Sequence, residues 1–461
     1  MNCTHLKPDE LKQTWAWFAS ALVIIPAFVY FCFQIRAVYL HGYFDLPIFM
    51  QAVIGHFTSG EIYRRGEDLV SLYKPGAIVF KFPTPYLFPF VTGFDGKGFN
   101  VNTFSQGFTG VALMLYASTI VFSIRQVFIA VPGSVSNSRR FVFLSGAIVF
   151  ACLYVPFFRV LGGTGGENFI IAAAVLAFVC MRRWPWFSGF LFAYLAAAKL
   201  YPVFLLVYPL LKKQWSVLVY AAISFVLIVL CAIWFFGWDE NIFYVKQILP
   251  VLLGEPVSED WTEALNHSTG NFGIVKVFCT YGLLPNRFIV WLNVIRLPMI
   301  ACICWLMLAR ARVRDVGWYD TLCFALVVTT MLVSLPNFFY SYLILLIFPI
   351  IVLGGFLFEK RFYGLLALFL LSVSCLLVDD GWLLPIVQQN HIMDPVGEMA
   401  TIMQQEVSQH GPLYYVFMHF PLAFALIMMG KATQFMTVFV WLSLFLALLS
   451  LRHPAARFQQ R

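Results

Sequence analysis

Charged side chains are scarce in this sequence. Asp, Glu, Lys and Arg make up only 11% of its 461 residues, whereas 61% are hydrophobic, and the mean hydropathy is +0.82. Soluble domains carry about a quarter charged and about half apolar residues, so a water-soluble fold of this composition would leave much apolar surface uncovered. The deficit of charge excludes an ordinary soluble domain and predicts an integral membrane protein.

Several signatures of enzyme chemistry are also missing. The sequence has no Cys-x-x-Cys, no pair of histidines at helical spacing and no Asp-x-Asp, so no metal site is predicted. It has no Gly-x-Ser-x-Gly and no Walker A loop, which removes support for common hydrolase and nucleotide-hydrolase mechanisms. Most of the ten cysteines fall inside apolar segments, so we expect buried thiols rather than a disulfide scaffold.

Long apolar runs are abundant. Segments such as Thr14 to Ile35, Ser216 to Phe236 and Phe288 to Leu308 hold about 20 apolar residues with few or no charges, the length that crosses a hydrocarbon core of about 30 Å. The first run follows Lys7 and Lys12 without a small-residue cleavage site after it, so we expect an uncleaved span. The pattern predicts an all-α polytopic membrane protein with about 12 transmembrane helices.

The excess of positive charge, +8 in total, lies in short clusters between the apolar runs. This distribution follows the positive-inside rule and argues against nucleic acid as a partner. We therefore expect both termini to be cytoplasmic and the chain to form one polytopic domain over residues 1–461. The basic clusters assigned to the cytoplasm are Arg139 and Arg140, Arg182 and Arg183, Lys212 and Lys213, Arg310 to Arg314, and Lys360 and Arg361.

The same topology predicts large outer-face loops over about 36–105, 238–287 and 379–413. Residues 414–429 are apolar as well, but a second crossing there would leave the basic C-terminal tail outside. We expect this segment to be interfacial or re-entrant.

Lys199 lies deep in apolar sequence. Both flanks of the region 186–211 are basic, so two crossings are needed within about 26 residues, and two short helices meeting near Lys199 and Pro202 satisfy this requirement. An ammonium group at such a break is costly unless it pairs or meets an anion. Two interpretations stay open: a phosphate or carboxylate ligand, or a structural pair with a distant carboxylate.

Other polar residues of the outer face carry weaker signals. Asp45 sits among aromatic residues just after a span, where partial desolvation would suit a general base, but the residues alone favour the alternative of a helix cap. Glu167 and Asn168 open a helix after a glycine-rich turn. The segment Asn266 to Asn271, followed by Lys276, is read by default as a solvated loop.

Several segments, taken in order, resemble the GT-C superfold of polytopic glycosyltransferases, and most closely glycosyltransferase family 87. The strongest match is Ala196 to Pro202 running on to Tyr208 to Trp215, similar to the family's Lys-x-x-Pro and Leu-Leu-x-Arg-Arg-Trp elements. The remaining matches are Asp45 to Phe49, Gly60 to Tyr63, Phe82 to Tyr86, Gly166 to Asn168, Asn266 to Ser268, and Leu335 to Tyr342. The chain departs from the family pattern at Glu167, which replaces Gln, at Phe339, which replaces Trp, and at Ser341, which replaces His.

The resemblance implies transfer of a sugar, mannose or another hexose or pentose, from a polyprenyl-phosphate carrier to a glycan or glycolipid acceptor. It further implies an inverting, metal-independent reaction at the periplasmic face of a bacterial inner membrane, with no cofactor. Asp45 would be the catalytic base, and Lys199 with Lys276 would bind the donor phosphate. The implied substrate-binding residues are Tyr63, Glu167, Asn168, Tyr201, Asn266, Ser268 and Tyr342.

Two other classes remain open from the residues alone. A lipid or small-solute transporter or flippase would also be all-helical with intramembrane charge, but it predicts repeats and short loops on both faces. A non-catalytic membrane scaffold would be supported if replacing Asp45 changed nothing but stability. Short inner loops facing long, polar outer loops favour an enzyme that works on one side of the membrane.

Overall fold

The computed structural model describes the residues that form the helical body and several parts of the outer segments. The described residues are 8–41, 46–60, 62–63, 83–94, 96, 100–130, 137–162, 166–249, 288–308, 316–335, 340–377 and 433–451. Asp45, Asn266, Ser268, Lys276 and the segments 250–287 and 378–432 lie outside them.

Within these ranges every regular element is a helix, which confirms the all-α prediction. The first half comprises α1 (Pro8–His41), α2 (Leu46–Ser59), a 3-10 turn (Thr84–Leu87) continuing as α3 (Phe88–Val91), α4 (Val101–Ala130), α5 (Asn137–Leu153), α6 (Val155–Gly162), α7 (Glu167–Cys180) and α8 (Pro185–Ala198). The second half comprises a 3-10 segment (Tyr201–Leu206) with α9 (Val207–Leu211), α10 (Trp215–Phe236), α11 (Trp238–Phe243), a π-helical turn (Tyr244–Ile248), α12 (Phe288–Leu308), α13 (Val316–Val333), a 3-10 segment (Tyr340–Leu346) with α14 (Ile347–Glu359), α15 (Tyr363–Val373), a 3-10 turn (Ser374–Leu377) and α16 (Thr433–Leu451).

Six helical segments of the described chain are long and apolar enough to cross a membrane. They are 19–39, 104–130, 137–162, 215–236, 316–333 and 341–359. Shorter apolar helices, among them α7, α8 and α15, accompany them. The chain is therefore an all-α polytopic membrane protein, and the count of 12 spans stays a prediction.

Helix α13 and the 341–359 segment form the centre of the bundle. Of the apolar stretch of each segment, 83% is buried in α13 and 78% in the 341–359 segment. The corresponding shares are only 6% in the first span and 17% in α10. The outward surface of α1 and α10 is lined by large apolar side chains such as Phe28, Phe33 and Trp234. Lipid tails are as apolar as these side chains, so α1 and α10 present surfaces suited to the bilayer.

The two short helices predicted around Lys199 are present. Helix α8 ends at Ala198, and Lys199 adopts an extended backbone with φ −142° and ψ 140°. Pro202 then occupies the first turn of the next helical segment, since a proline has no amide hydrogen with which to continue the preceding helix. Two short apolar helical segments thus meet at a polar break at Lys199.

Close helix packing supports this arrangement. Gly189 of α8 faces α10, where an added Cβ atom would lie 2.8 Å from the Ala221 amide nitrogen and from the Val217 carbonyl oxygen. Only glycine allows the two backbones to approach so closely. The Ser188 hydroxyl donates a hydrogen bond of 2.8 Å to the Ala177 carbonyl and joins α8 to α7.

The first outer segment is more structured than a loop. The sequence predicts a non-spanning segment over 36–105, whereas α1 continues to His41, α2 fills 46–59 and α4 already begins at Val101. Arg36 lies within the first helix and Ser105 within α4, so hydropathy alone ends the first helix too early and begins α4 too late. The outer segment therefore carries its own packed helices.

Candidate functional site

The two ends of the α7 and α8 pair differ in chemistry. Helix α7 begins at Glu167, and the antiparallel α8 returns to Lys199, which places these two residues at one end. At the other end, Asp320 accepts hydrogen bonds from Arg182 at 2.7 Å and from Lys212 at 2.5 Å. Fourteen-residue helices are about 21 Å long, so the Lys199 end is well separated from this basic end.

Lys199 and Glu167 form a buried ion pair. The Lys199 ammonium donates a short hydrogen bond to Glu167 Oε1, and the side chains are only 6% and 4% exposed. Removing two charges from water costs several kcal/mol per ion, and the mutual attraction offsets this cost only when the geometry is good. Such a pair is weak evidence for stability, and a buried charge pair at a helix break marks a candidate functional site.

Three tyrosine rings surround the Lys199 ammonium. The Nζ atom lies 5.1 Å from the centroid of Tyr86, 5.7 Å from that of Tyr342 and 6.0 Å from that of Tyr201. The rings of Tyr201 and Tyr342 are themselves 5.3 Å apart. A cation within about 6 Å of a ring face is attracted by the ring quadrupole, so these rings, which we call the tyrosine cage, hold the ammonium in place.

Glu167 has a separate source of stabilisation. It is the first residue of α7, and Gly166 is its N-cap. The partial positive charge at a helix N-terminus favours a carboxylate there. The carboxylate and the ammonium are therefore each stabilised by their own surroundings as well as by each other.

Gly166 connects the start of α7 to the tyrosine cage. Its amide donates a hydrogen bond of 2.7 Å to the Tyr86 hydroxyl. A Cβ atom at this position would fall onto that hydroxyl and the neighbouring ring carbons. A residue with a side chain at 166 would therefore displace the ring that covers Lys199.

Two buried polar atoms beside the ion pair have no hydrogen-bond partner among the described residues. They are the hydroxyl oxygen of Tyr201 and Oδ1 of Asn168. The amide nitrogen of Asn168 is used, since it donates to the Ala112 carbonyl of α4 at 2.6 Å. Buried polar groups in folded proteins are nearly always satisfied, so these two atoms point to a bound polar group or water.

A second polar centre joins α11 to residues 62 and 63, in two segments that the sequence predicts to be outer. The carboxylate of Glu240, on α11, accepts hydrogen bonds from the backbone amides of Ile62 at 2.9 Å and Tyr63 at 3.1 Å. The Tyr63 ring packs against Phe243 at 5.8 Å and Tyr244 at 6.1 Å. Burial raises the pKa of the Tyr63 hydroxyl well above its ordinary value, so Tyr63 stays neutral.

His56 of α2 lies close to this centre. Its ring packs against Phe57, Phe235 and Phe236 at centroid distances of 4.9 to 5.3 Å. Burial lowers the pKa of His56, and the nearby Glu240 carboxylate opposes part of that effect. The folded state therefore favours the neutral imidazole.

The structure brings together a large part of the predicted site. Lys199, Glu167, Tyr201 and Tyr342 meet in one cluster, and Asn168 follows Glu167 on the same helix turn. Tyr63 belongs to the Glu240 contacts rather than to the tyrosine cage. Asp45, Asn266, Ser268 and Lys276 lie outside the described residues, so their proposed roles stay predictions.

Two residues of the site were not singled out in the sequence as functional. Tyr86 covers Lys199, and its only signal was its place in the aromatic and proline-rich Phe82 to Tyr86 stretch. Glu240 belongs to no motif. Its carboxylate lies just after the end of an apolar run, is only 2% exposed in the fold and anchors residues 62 and 63. An acidic residue at the border of an apolar run is the signal that could have identified it.

An apolar cavity of about 420 Å³ lies beside the start of α7. Its wall includes Phe104 and Phe108 of α4, Phe169 of α7 and Phe94, and none of its lining residues is charged. Phe169 directly follows Asn168, and its ring packs on Phe108 at 5.8 Å. The wall of this mostly apolar space therefore includes a residue of the first turn of α7, two positions after Glu167.

Comparison with known families agrees with this geometry. Residues 73–336 match glycosyltransferase family 87, and this range holds the ion pair, Tyr86 and Glu240. No curated protein and no solved structure matches the chain. Because the match extends over more than half of the chain and includes the buried polar cluster, this protein belongs to glycosyltransferase family 87 and is a membrane glycosyltransferase.

Proposed function

We propose that the chain transfers a sugar from a polyprenyl-phosphate carrier to a glycan or glycolipid acceptor at the periplasmic face of the bacterial inner membrane. The sugar is mannose or another hexose or pentose. The observation that carries the proposal is the buried Lys199 ammonium, held under three tyrosine rings at the start of a helix whose Phe169 lines an uncharged cavity. A lipid-linked phosphate needs such a combination, since its head is anionic and its tail is apolar.

In the proposed reaction, an acceptor hydroxyl oxygen attacks the anomeric carbon of the donor sugar. The new bond forms as the bond between the anomeric carbon and the phosphate oxygen breaks, which inverts the configuration. Asp45 accepts the hydroxyl proton, and polyprenyl phosphate leaves with the bonding electron pair. The reaction balances in atoms and electrons without an oxidant, a metal or a cofactor.

Lys199, assisted by Lys276, faces the charge that develops on the leaving phosphate. A fixed cation in a water-excluded site stabilises developing negative charge more than water does, because it needs no reorganisation during the reaction. The tyrosine cage supplies this fixed position. The remaining proposed contacts with the sugar or the acceptor are made by Tyr63, Glu167, Asn168, Tyr201, Asn266, Ser268 and Tyr342.

The apolar cavity beside α7 supports a lipid-linked donor. Its volume of about 420 Å³ accommodates part of a prenyl chain, and its wall is mostly apolar and carries no charged residue. A soluble nucleotide-sugar donor would have no use for such a space. A transporter is the alternative class, and family membership favours the transferase.

The donor proposal is tested with purified protein in lipid nanodiscs and synthetic polyprenyl-phosphate mannose. Replacing Lys199 with Met keeps the length of the side chain and removes the charge, and it should lower transfer by at least about 100-fold, as loss of a transition-state charge contact does. Lys212→Met is the matched control, because Lys212 also pairs with a carboxylate and lies 4.9 Å from the Tyr319 ring, but at the opposite end of the bundle. Equal transfer by the wild type and Lys199→Met would refute the assigned role of Lys199.

A further inference from the structure

The Glu167 carboxylate occupies a hydrogen-bond donor of the cation that the proposed function assigns to the donor phosphate. One of the three hydrogens of the Lys199 ammonium points to Glu167 Oε1. A phosphate oxygen approaching the same ammonium would meet this carboxylate, and two anions in a buried site repel each other. Binding of a phosphate at Lys199 is therefore opposed by Glu167 and is favoured when the ion pair opens.

Each charge of the ion pair has a stabilising contact that does not depend on the other charge. The ammonium keeps the tyrosine cage, which lies within 6.0 Å on three sides whatever the carboxylate does. The carboxylate keeps the N-terminus of α7, where the helix dipole favours negative charge. Opening the pair therefore leaves neither charge without compensation.

The unsatisfied polar atoms show where the incoming group can bind. The Tyr201 hydroxyl is buried beside Lys199 and makes no hydrogen bond within the described residues. A phenolic hydroxyl can donate one hydrogen bond, and a phosphate oxygen is a strong acceptor. The Lys199 ammonium and the unused Tyr201 hydroxyl, two residues apart at the helix break, form a candidate donor set for an anion.

We infer that Glu167 is an exchangeable counter-ion: it pairs with Lys199 while the site is empty, and the phosphate of a prenyl phosphate displaces it and binds Lys199 together with the Tyr201 hydroxyl. This inference rests on the proposed function. It assigns Glu167 a positioning role, in which the carboxylate holds the ammonium in the cage and sets how strongly phosphate binds.

The test compares binding of two ligands with the same tail. Farnesyl phosphate carries the anion, and farnesol carries only the hydroxyl, so the ratio of their affinities isolates the contribution of the phosphate. Glu167→Gln should raise the affinity for farnesyl phosphate relative to farnesol by about tenfold, which corresponds to about 1.4 kcal/mol. Asp320→Asn is the matched control, because it removes a carboxylate that pairs with Lys212 and Arg182 far from the site, and it should leave the ratio unchanged.

Two further variants keep the inference testable if Glu167→Gln folds poorly. Tyr201→Phe removes only the unused hydroxyl and should lower the affinity for farnesyl phosphate without changing that for farnesol. Glu167→Asp retains the charge and should show no tighter phosphate binding. An unchanged ratio in Glu167→Gln or in Tyr201→Phe, or equal tightening in Asp320→Asn, would overturn the counter-ion role.

The binding experiment separates failure of the counter-ion role from failure of the proposed function. If the wild type binds farnesyl phosphate no better than farnesol, Lys199 does not bind phosphate, and both the proposed donor site and the counter-ion role fail. If the wild type prefers the phosphate and Glu167→Gln shows no stronger preference, the counter-ion role fails alone. If the wild type prefers the phosphate and Glu167→Gln strengthens that preference, the counter-ion role is supported independently of any transfer assay.

Discussion

Lys199 and Glu167 lie 32 residues apart in the sequence and form one buried ion pair in the fold. The pair arises because α7 begins at one residue and the antiparallel α8 ends just before the other. The ammonium of the pair lies within the tyrosine cage, at the site to which the proposed function assigns the donor phosphate. The antiparallel packing of two short helices thus creates a buried charge pair within the range that matches the family.

Gly166 is predicted to be essential for the tyrosine cage. In Gly166→Ala, the added methyl group would collide with the Tyr86 hydroxyl, and such overpacking costs about 1 to 3 kcal/mol. Displacement of Tyr86 should also reduce sugar transfer by at least about tenfold, which thermal unfolding and transfer assays would measure. Gly146→Ala is the control, since a Cβ atom there meets nothing within 4 Å; equal behaviour of the two variants would contradict this prediction.

Glu240 is predicted to hold the first outer segment in place. Hydrogen bonds to a charged group contribute about 1.5 to 3 kcal/mol, and the Glu240 carboxylate accepts two of them from the Ile62 and Tyr63 amides. Glu240→Gln weakens both and should speed hydrogen exchange at residues 62 and 63. The exposed neighbour Asp239 provides the control variant Asp239→Asn, and unchanged exchange in Glu240→Gln would show that these bonds do not anchor the segment.

The stability of the protein is predicted to fall at mildly acidic pH through His56. Burial lowers the pKa of His56 in the folded state, while the unfolded chain takes up its proton near pH 6.5. The stabilisation from the neutral ring is therefore complete above about pH 6.5 and is lost as the pH falls through the lower pKa of the folded state. Thermal unfolding of wild type and His56→Phe between pH 7.5 and 5 would measure this difference. A wild-type pH dependence that persists in the variant would refute the assignment.

The hydrogen bond between Trp441 and Thr330 is predicted to fasten α16 to the centre of the bundle. The indole nitrogen of Trp441 donates to the Thr330 hydroxyl at 2.6 Å. Thr330→Val would leave that nitrogen buried and unpaired, at a cost of about 1 to 3 kcal/mol. Thr329→Val is a close control, because the Thr329 hydroxyl bonds only to carbonyls of its own helix among the described contacts. Equal unfolding temperatures for the two variants would argue against the link.

The helical architecture was largely predictable because apolar runs and proline breaks are local signals. The break at Lys199 follows from two basic flanks and Pro202, and the fold confirms it. Helix ends in the outer segment were less predictable: α1 runs on to His41 and α2 forms within a predicted loop. Hydropathy measures only the preference for lipid, and helices that pack at the membrane surface give a weak signal.

The composition of the site was predictable in part. Lys199, Glu167, Tyr201 and Tyr342 were each selected as single residues, but their convergence depends on how four helical segments pack. The sequence left open whether Lys199 meets an anionic ligand or a distant carboxylate, and the fold identifies Glu167 as a partner. Contacts between residues far apart in sequence, such as Glu240 with the Ile62 amide, have no local pattern from which they could be read.

The most direct test of the central claim is sugar transfer by the purified protein in nanodiscs, with wild type and Asp45→Asn supplied with polyprenyl-phosphate sugars and a lipid-linked glycan acceptor. The account predicts a glycosylated product of inverted anomeric configuration from the wild type. It also predicts loss of that product in a folded Asp45→Asn variant. Absence of product from the wild type with every donor, alongside retained binding of prenyl lipids, would contradict the account and support a lipid transporter or a scaffold.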